Sequence, residues 1–146
     1  MLLPEVKKHY GKLKFLIGGE WVDSNSTRIE PDPNPATGET IAETPQATPE
    51  EAMAAVEAAH AAFQTWKNMP MRERAYMLFT MHNKFRENTD MLCRVLVQDH
   101  GRTIEEAKGT LARVLENIES ACSAAYGLVK DNAAIMNLAS GIDEYL

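Results

Sequence analysis

Two cysteines, four histidines and a few close groupings of charge hold most of the chemistry this sequence could perform. A thiol nucleophile needs a lowered pKa and access, conditions met at a helix N-terminus or beside a cation. Cys93 and Cys122 fall instead well inside helical patterns, at or next to apolar positions, and are expected to pack as small buried hydrophobes. They match no CxxC or zinc spacing and form no disulfide framework, which fits a reducing cytoplasm. His9, His60, His82 and His100 share no metal-ligand spacing and no HExxH occurs, so surface or capping roles are expected and no metal site. Glu105-Glu106 is explained by capping and the helix dipole, and Glu116 with Glu119 by a polar helix face. Arg113 lies three residues before Glu116, a spacing that predicts an ion pair on a solvated face.

No GxGxxG, Walker A or GxSxG run occurs, so no catalytic residue and no cofactor-binding residue is expected within the chain. Its 146 residues carry 15 Lys plus Arg against 21 Asp plus Glu, a net charge of −6. That balance gives no basic footprint for nucleic acid. With 45% hydrophobic residues the chain can bury a core, yet none of its helical patterns offers an apolar run long enough to span a membrane. The opening Met1-Leu2-Leu3-Pro4 is too short, and its basic residues wrongly placed, for a secretory signal.

The elements that would position these groups divide near Thr48. Residues 1–47 are rich in Gly, Pro, Asn and Thr and predict an extended segment with β hairpins. Lys14–Ile17 and Glu20–Val22 flank Gly18-Gly19, a pair suited to a two-residue hairpin. A second extended pair is expected from Arg28–Glu30 and Thr40–Glu43, joined through Asn34-Pro35-Ala36-Thr37-Gly38. Pro31, Pro33 and Pro35 would confine the first of these strands to an edge.

Residues 48–130 predict a helical layer, and 131–146 the start of an extended segment. Thr48-Pro49-Glu50-Glu51 is a capping box with proline at the first helical position. Behind it Ala52, Val56, Ala59, Phe63 and Trp66 share one face. A helix from about Arg72 to Phe85 should bury Ala75, Leu78, Phe79 and Phe85. Asn88-Thr89-Asp90 could recap it before Leu92, Val95 and Leu96, with Gly101 as the left-handed stop. Thr103-Ile104-Glu105-Glu106 is a second capping box, followed by Ile104, Ala107, Leu111, Val114, Ile118, Ala121 and Ala125 on one face. Gly109 within this helix suggests the close approach of another backbone. Trp21, Phe63, Trp66, Phe79 and Phe85 all fall at core-compatible positions.

Read together, Ile17-Gly18-Gly19-Glu20-Trp21-Val22, Asn34-Pro35-Ala36-Thr37-Gly38-Glu39, and Ala55-Val56-Glu57-Ala58-Ala59 with Ala62-Phe63 and Trp66 resemble the beginning of an aldehyde dehydrogenase. Asp99-His100-Gly101-Arg102-Thr103, with Glu106-Ala107 and Gly109, is similar to that family's helix junction, Arg102 standing for a usual Lys. Arg113–Glu119, Ala121-Cys122-Ser123 and Ala139–Asp143 resemble the CoA-acylating branch, the methylmalonate-semialdehyde dehydrogenases. Val114 stands there for a usual glycine, and Thr110 where an acid is common.

The resemblance implies an α/β protein, of which this stretch would be mostly α with two short N-terminal β hairpins. It implies oxidation of malonate or methylmalonate semialdehyde to an acyl-CoA through a cysteine thioester, with NAD and CoA as cofactors of the complete enzyme. Arg113 would meet the substrate's carboxylate, a task suited to a planar, permanently charged fork. The family's cofactor site, nucleophile and glutamate lie beyond the matched stretch. The expectation is therefore an N-terminal part of such an enzyme, inactive alone and binding neither cofactor by itself. Its partners would be the remainder of the dehydrogenase chain and further copies in a homo-oligomer. The alternative is a freestanding acidic helical module that binds a partner polypeptide.

Overall fold

The computed structural model describes residues 6–127, 134–139 and 142–145. The expectations for Ala125's side chain and for the rest of the terminal stretch lie outside the described residues. Six short strands and four helices follow in order: β1 (Phe15–Ile17), β2 (Glu20–Val22), β3 (Ile29–Pro33), β4 (Thr40–Pro45), α1 (Pro49–Trp66), α2 (Met71–Glu87), α3 (Thr89–His100), α4 (Ile104–Gly127), β5 (Ala134–Ala139) and β6 (Ile142–Tyr145). They form two compact units, Met1–Asn68 with Asn88–Leu111, and Met69–Glu87 with Ala112–Leu146.

Three antiparallel hairpins make up the described sheets. In the first, Gly18 and Gly19 take φ of 62° and 88°, the pair of positive values that lets a two-residue turn match the strand twist. The second joins β3 to β4 with Glu30 opposite Thr44 and Asp32 opposite Ala42. Gln46 N–H donates to Arg28 O and Asn34 N–H to Glu39 O, so the even-numbered residues of β3 bond β4. Pro31 and Pro33 therefore direct their missing N–H groups to the outer flank, where the pairing loses nothing. The other flank of β4 is occupied: Tyr10 and Leu13 donate to Ile41 O and Glu43 O, and Glu43 donates to Gly11 O. The third hairpin, β5 with β6, extends the expectation of a single extended stretch there into a pair.

Both capping boxes form. Thr48 Oγ1 accepts from Glu51 N–H at 3.2 Å and Glu51 Oε2 accepts from Thr48 N–H at 2.9 Å, while Thr103 and Glu106 repeat the exchange at 3.3 and 2.9 Å. Glu51 also accepts from Asn25 N–H at 2.7 Å and from Ser24 Oγ at 2.9 Å, tying the loop after β2 to the start of α1. The N–H groups of Thr48 and Asn25 hold its carboxyl below the usual carboxylate range. That depressed value stabilises the fold above the carboxyl pKa of the unfolded chain, and the stabilisation is lost as pH falls through the folded value. Glu51→Gln should thus flatten the acid side of the stability profile, measured by urea unfolding across pH. Thr48→Ala should lower stability by about 1 kcal/mol at neutral pH, seen as a lower urea midpoint.

The helix is interrupted at Asn88, which gives α3 no side-chain cap hydrogen bond, and stops at Gly101, with φ of 65°, both at the expected boundaries. In the first unit Ile41, Ala42, Cys93, Ala107 and Leu111 are buried; in the second, Ala75, Ile118 and Cys122 are. The core is smaller than the pattern suggests. Trp21, Phe63, Trp66 and Phe79 are exposed, against expectation, Trp21 at 68% and Phe63 at 51%, and Phe85 is half-buried. Ala121 is exposed as well. None of the eighteen residues of α1 is buried. Periodicity marks a face fit for burial but carries no information on whether another layer lies against it.

Candidate functional site

Neither cysteine has the surroundings of a nucleophile. Cys93 and Cys122 are each 1% exposed, and burial pushes both thiols up from their ordinary value. Lys108 opposes the shift at Cys93, and Glu119 adds to it at Cys122. The Cys122 thiol faces Ala75 O at 3.7 Å, which links α4 to α2 inside the second unit. Both are buried core groups, as the pattern predicts. A thiol reagent at neutral pH is expected to leave both unmodified in the folded chain and to titrate both once urea is added.

The histidines take local and surface roles. His9 Nδ1 accepts from Gly11 N–H at 2.9 Å, His60 Nε2 lies 3.1 Å from Gln64 Nε2, and His100 lies 3.4 Å from Asp99. His82 differs, with Nε2 2.8 Å from Glu119 Oε1 across α2 and α4 and a side chain 12% exposed. Thirty-seven positions separate this pair, a distance at which sequence offers no signal. Among the described residues no group of three or more His, Cys, Asp or Glu could hold a metal ion.

Arg113 is exposed on α4, and it makes no hydrogen bond or ion pair among the described residues. The expected pair with Glu116 is not formed. Both side chains stand in solvent, where an ion pair of this spacing gains only about 0.2–0.5 kcal/mol and is readily given up to hydration. The guanidinium is thus left with its five donors free to meet an anion.

The close backbone approach expected at Gly109 is also absent: a Cβ built there meets nothing within 4 Å. Gly101 shows that environment instead, since a Cβ there would lie 2.8 Å from Pro35 Cγ. Arg102, which stands for a usual Lys at the helix junction, and Thr110, which stands where the acylating branch commonly has an acid, contact each other. The Arg102 guanidinium donates to Thr110 Oγ1 at 3.1 Å. The arginine's reach and the hydroxyl's acceptor thus accompany one another, a neutral acceptor serving where a carboxylate would make an ion pair.

Three buried polar side chains escaped sequence reasoning. Gln98 donates to Lys7 O at 2.8 Å and faces Tyr10 OH at 3.5 Å, pinning the N-terminal segment to α3. Asn34 Oδ1 accepts from Ala36 N–H at 2.9 Å, closing the turn before β4. Ser24 joins the Glu51 cluster. Of these only Asn34, in an Asn-Pro run, carries a local signal.

All named sheets are two-stranded and antiparallel, so none leads by a crossover helix to a parallel neighbour. Helices α1 and α4 open beneath their own threonine caps, which occupy N–H groups that an anion would need. Among the described residues no helix is long and apolar enough to cross a membrane.

Residues 21–142 match the profile of the Aldehyde dehydrogenase family. A malonate-semialdehyde dehydrogenase of Bacillus cereus is 39% identical over 98% of this chain, which spans 28% of that relative's length. The crystal structure of a methylmalonate-semialdehyde dehydrogenase from Oceanimonas doudoroffii is 33% identical with a TM-score of 0.77, over 93% of this chain and 27% of the other. A Sinorhizobium meliloti relative solved in complex with NAD is 31% identical with the same TM-score, over 94% of this chain and 27% of its own.

Proposed function

Because the chain belongs to the aldehyde dehydrogenase family, we propose that it is the N-terminal part of an NAD-dependent, CoA-acylating oxidoreductase acting on malonate or methylmalonate semialdehyde. The observation that supports this most is the 39% identity to a malonate-semialdehyde dehydrogenase over 98% of the chain, joined to a fold match with a methylmalonate-semialdehyde dehydrogenase. In the complete enzyme NAD takes up the hydride and CoA the acyl group, and neither is assigned to residues of this chain. The contribution of the chain is to present Arg113, on a capped helix, to the substrate's distal carboxylate. The exposed fork without a competing acid supports that role, since binding a carboxylate then breaks no existing pair.

The remaining partners follow from the same reading: the rest of the dehydrogenase polypeptide, further copies in a homo-oligomer, and a cytoplasmic setting. The test is an assay of the complete protein with malonate semialdehyde, NAD and CoA. NADH and acyl-CoA are expected in equal amounts, with neither produced by the 146-residue chain alone. NADH formation by the isolated chain, or turnover by the complete protein that ignores CoA, would overturn the reading.

A further inference from the structure

We infer that Asn117 is a second binding residue for the substrate's distal carboxylate, an inference that rests on the reading of Arg113 as the first. Arg94 and Lys108 show what a helical cation of this chain ordinarily does: each reaches back along its helix to an acid, Asp90 at 2.9 Å and Glu105 at 3.0 Å. Long helical side chains lean toward the preceding turn, so the residues three and four places earlier are their natural partners. Before Arg113 those places hold Thr110 and Gly109, neither of them an acid, and Thr110 Oγ1 already accepts from Arg102. Beyond it, Glu119 is taken by His82 at 2.8 Å, and Glu116 forms no pair with the guanidinium.

Asn117 completes this setting. It stands four residues after Arg113 on α4, exposed, and makes no hydrogen bond or ion pair among the described residues. Four residues are about one turn, which sets the two Cβ atoms roughly 5–6 Å apart on one face, and the Cα–Cβ bond of the asparagine tilts back toward the turn of the arginine. A carboxylate offers about four lone-pair directions, of which the flat guanidinium fork fills about two. The carboxamide N–H groups of Asn117 are neutral donors within reach of a third. An acid at 117 would do the reverse, pairing with Arg113 at the i, i+4 spacing and repelling the substrate. Asparagine thus adds a donor beside the arginine without supplying a rival anion.

The test is steady-state kinetics of the complete enzyme with NAD and CoA, comparing malonate semialdehyde with a neutral aldehyde of similar size. Asn117→Ala should raise KM for malonate semialdehyde about tenfold, the loss of one hydrogen bond to a charged group. Asn117→Asp should raise it roughly 30-fold, because a like charge replaces the donor. KM for the neutral aldehyde should move by less than about twofold in both, and Asn117→Gln, which keeps the carboxamide, should lie nearer the parent than Asn117→Ala does. An Asn117→Ala enzyme within about twofold of the parent on malonate semialdehyde, while Arg113→Ala does lose that substrate, would overturn the inference and leave the functional reading intact. Equal rises for the two aldehydes would assign Asn117 to the helix and likewise overturn it. A complete enzyme that leaves malonate semialdehyde unoxidised would remove the functional reading and the inference together.

Discussion

Replacing Arg113 by alanine in the complete dehydrogenase is expected to raise KM for malonate semialdehyde roughly 10- to 100-fold, the loss that follows when a charged hydrogen-bonded contact of about 1.5–3 kcal/mol is removed. KM for a neutral aldehyde of similar size should change by less than about twofold, since it has no carboxylate to lose the contact. Arg113→Lys should fall between the two, because an ammonium keeps the charge but not the planar fork. The expectation gains force from the solvent-facing position of Arg113 and from the unformed pair with Glu116. A guanidinium already held by an acid would have to break that pair first. Equal KM changes for the charged and neutral aldehydes would show that Arg113 serves the helix and not the substrate.

The second large effect is on stability. Gly101→Ala should cost about 2–5 kcal/mol, from two separable causes. The φ of 65° is a conformation that costs an L side chain roughly 1–2 kcal/mol. The new Cβ would also sit 2.8 Å from Pro35 Cγ, and overpacking against a rigid ring adds about 1–3 kcal/mol. Gly101→Asn should relieve part of the first cost, because asparagine tolerates the left-handed region, and none of the second. Removing the ring as well, in Gly101→Ala with Pro35→Ala, should relieve only the second, so urea unfolding of the parent, Gly101→Ala, Pro35→Ala and the double variant gives a double-mutant cycle with measurable coupling. A Gly101→Ala chain within about 0.5 kcal/mol of the parent, the range of ordinary surface changes, would refute the contact with Pro35.

These two residues also mark where the sequence was legible and where it was not. The role of Gly101 as a helix stop is local, set by the chain within a few residues, and the structure has it there. The same holds for both threonine capping boxes and for the Gly18-Gly19 hairpin, each a matter of neighbouring donors and acceptors. The close approach to Gly101 is not local. Pro35 lies far away in the chain, and sequence reasoning placed the tight contact at Gly109, whose surroundings are open. The stripe on α1 fails for a related reason: Val56, Phe63 and Trp66 are spaced for burial, but burial needs a second surface. At the candidate site, the burial of Cys93 and Cys122 was readable from their helix-interior positions. The contacts of His82 with Glu119 and of Arg102 with Thr110 required the fold, because spacing ranks only neighbours within a turn or two.

The prolines of β3 have an effect beyond the hairpin that contains them. An open sheet flank is ordinarily a template, with alternating N–H and C=O groups onto which a foreign strand can zip. On the outer flank of β3, Pro31 and Pro33 supply carbonyls without the rungs between them, and the opposite flank of β4 is already taken by residues 10–13. An incoming strand finds one usable donor, that of Ile29, and no ladder. During synthesis, while apolar surface such as the face of α1 is exposed, this part of the chain is therefore protected against strand exchange and fibrous growth. At this hairpin association must proceed through side chains, which discriminate between partners, and not through backbone, which does not.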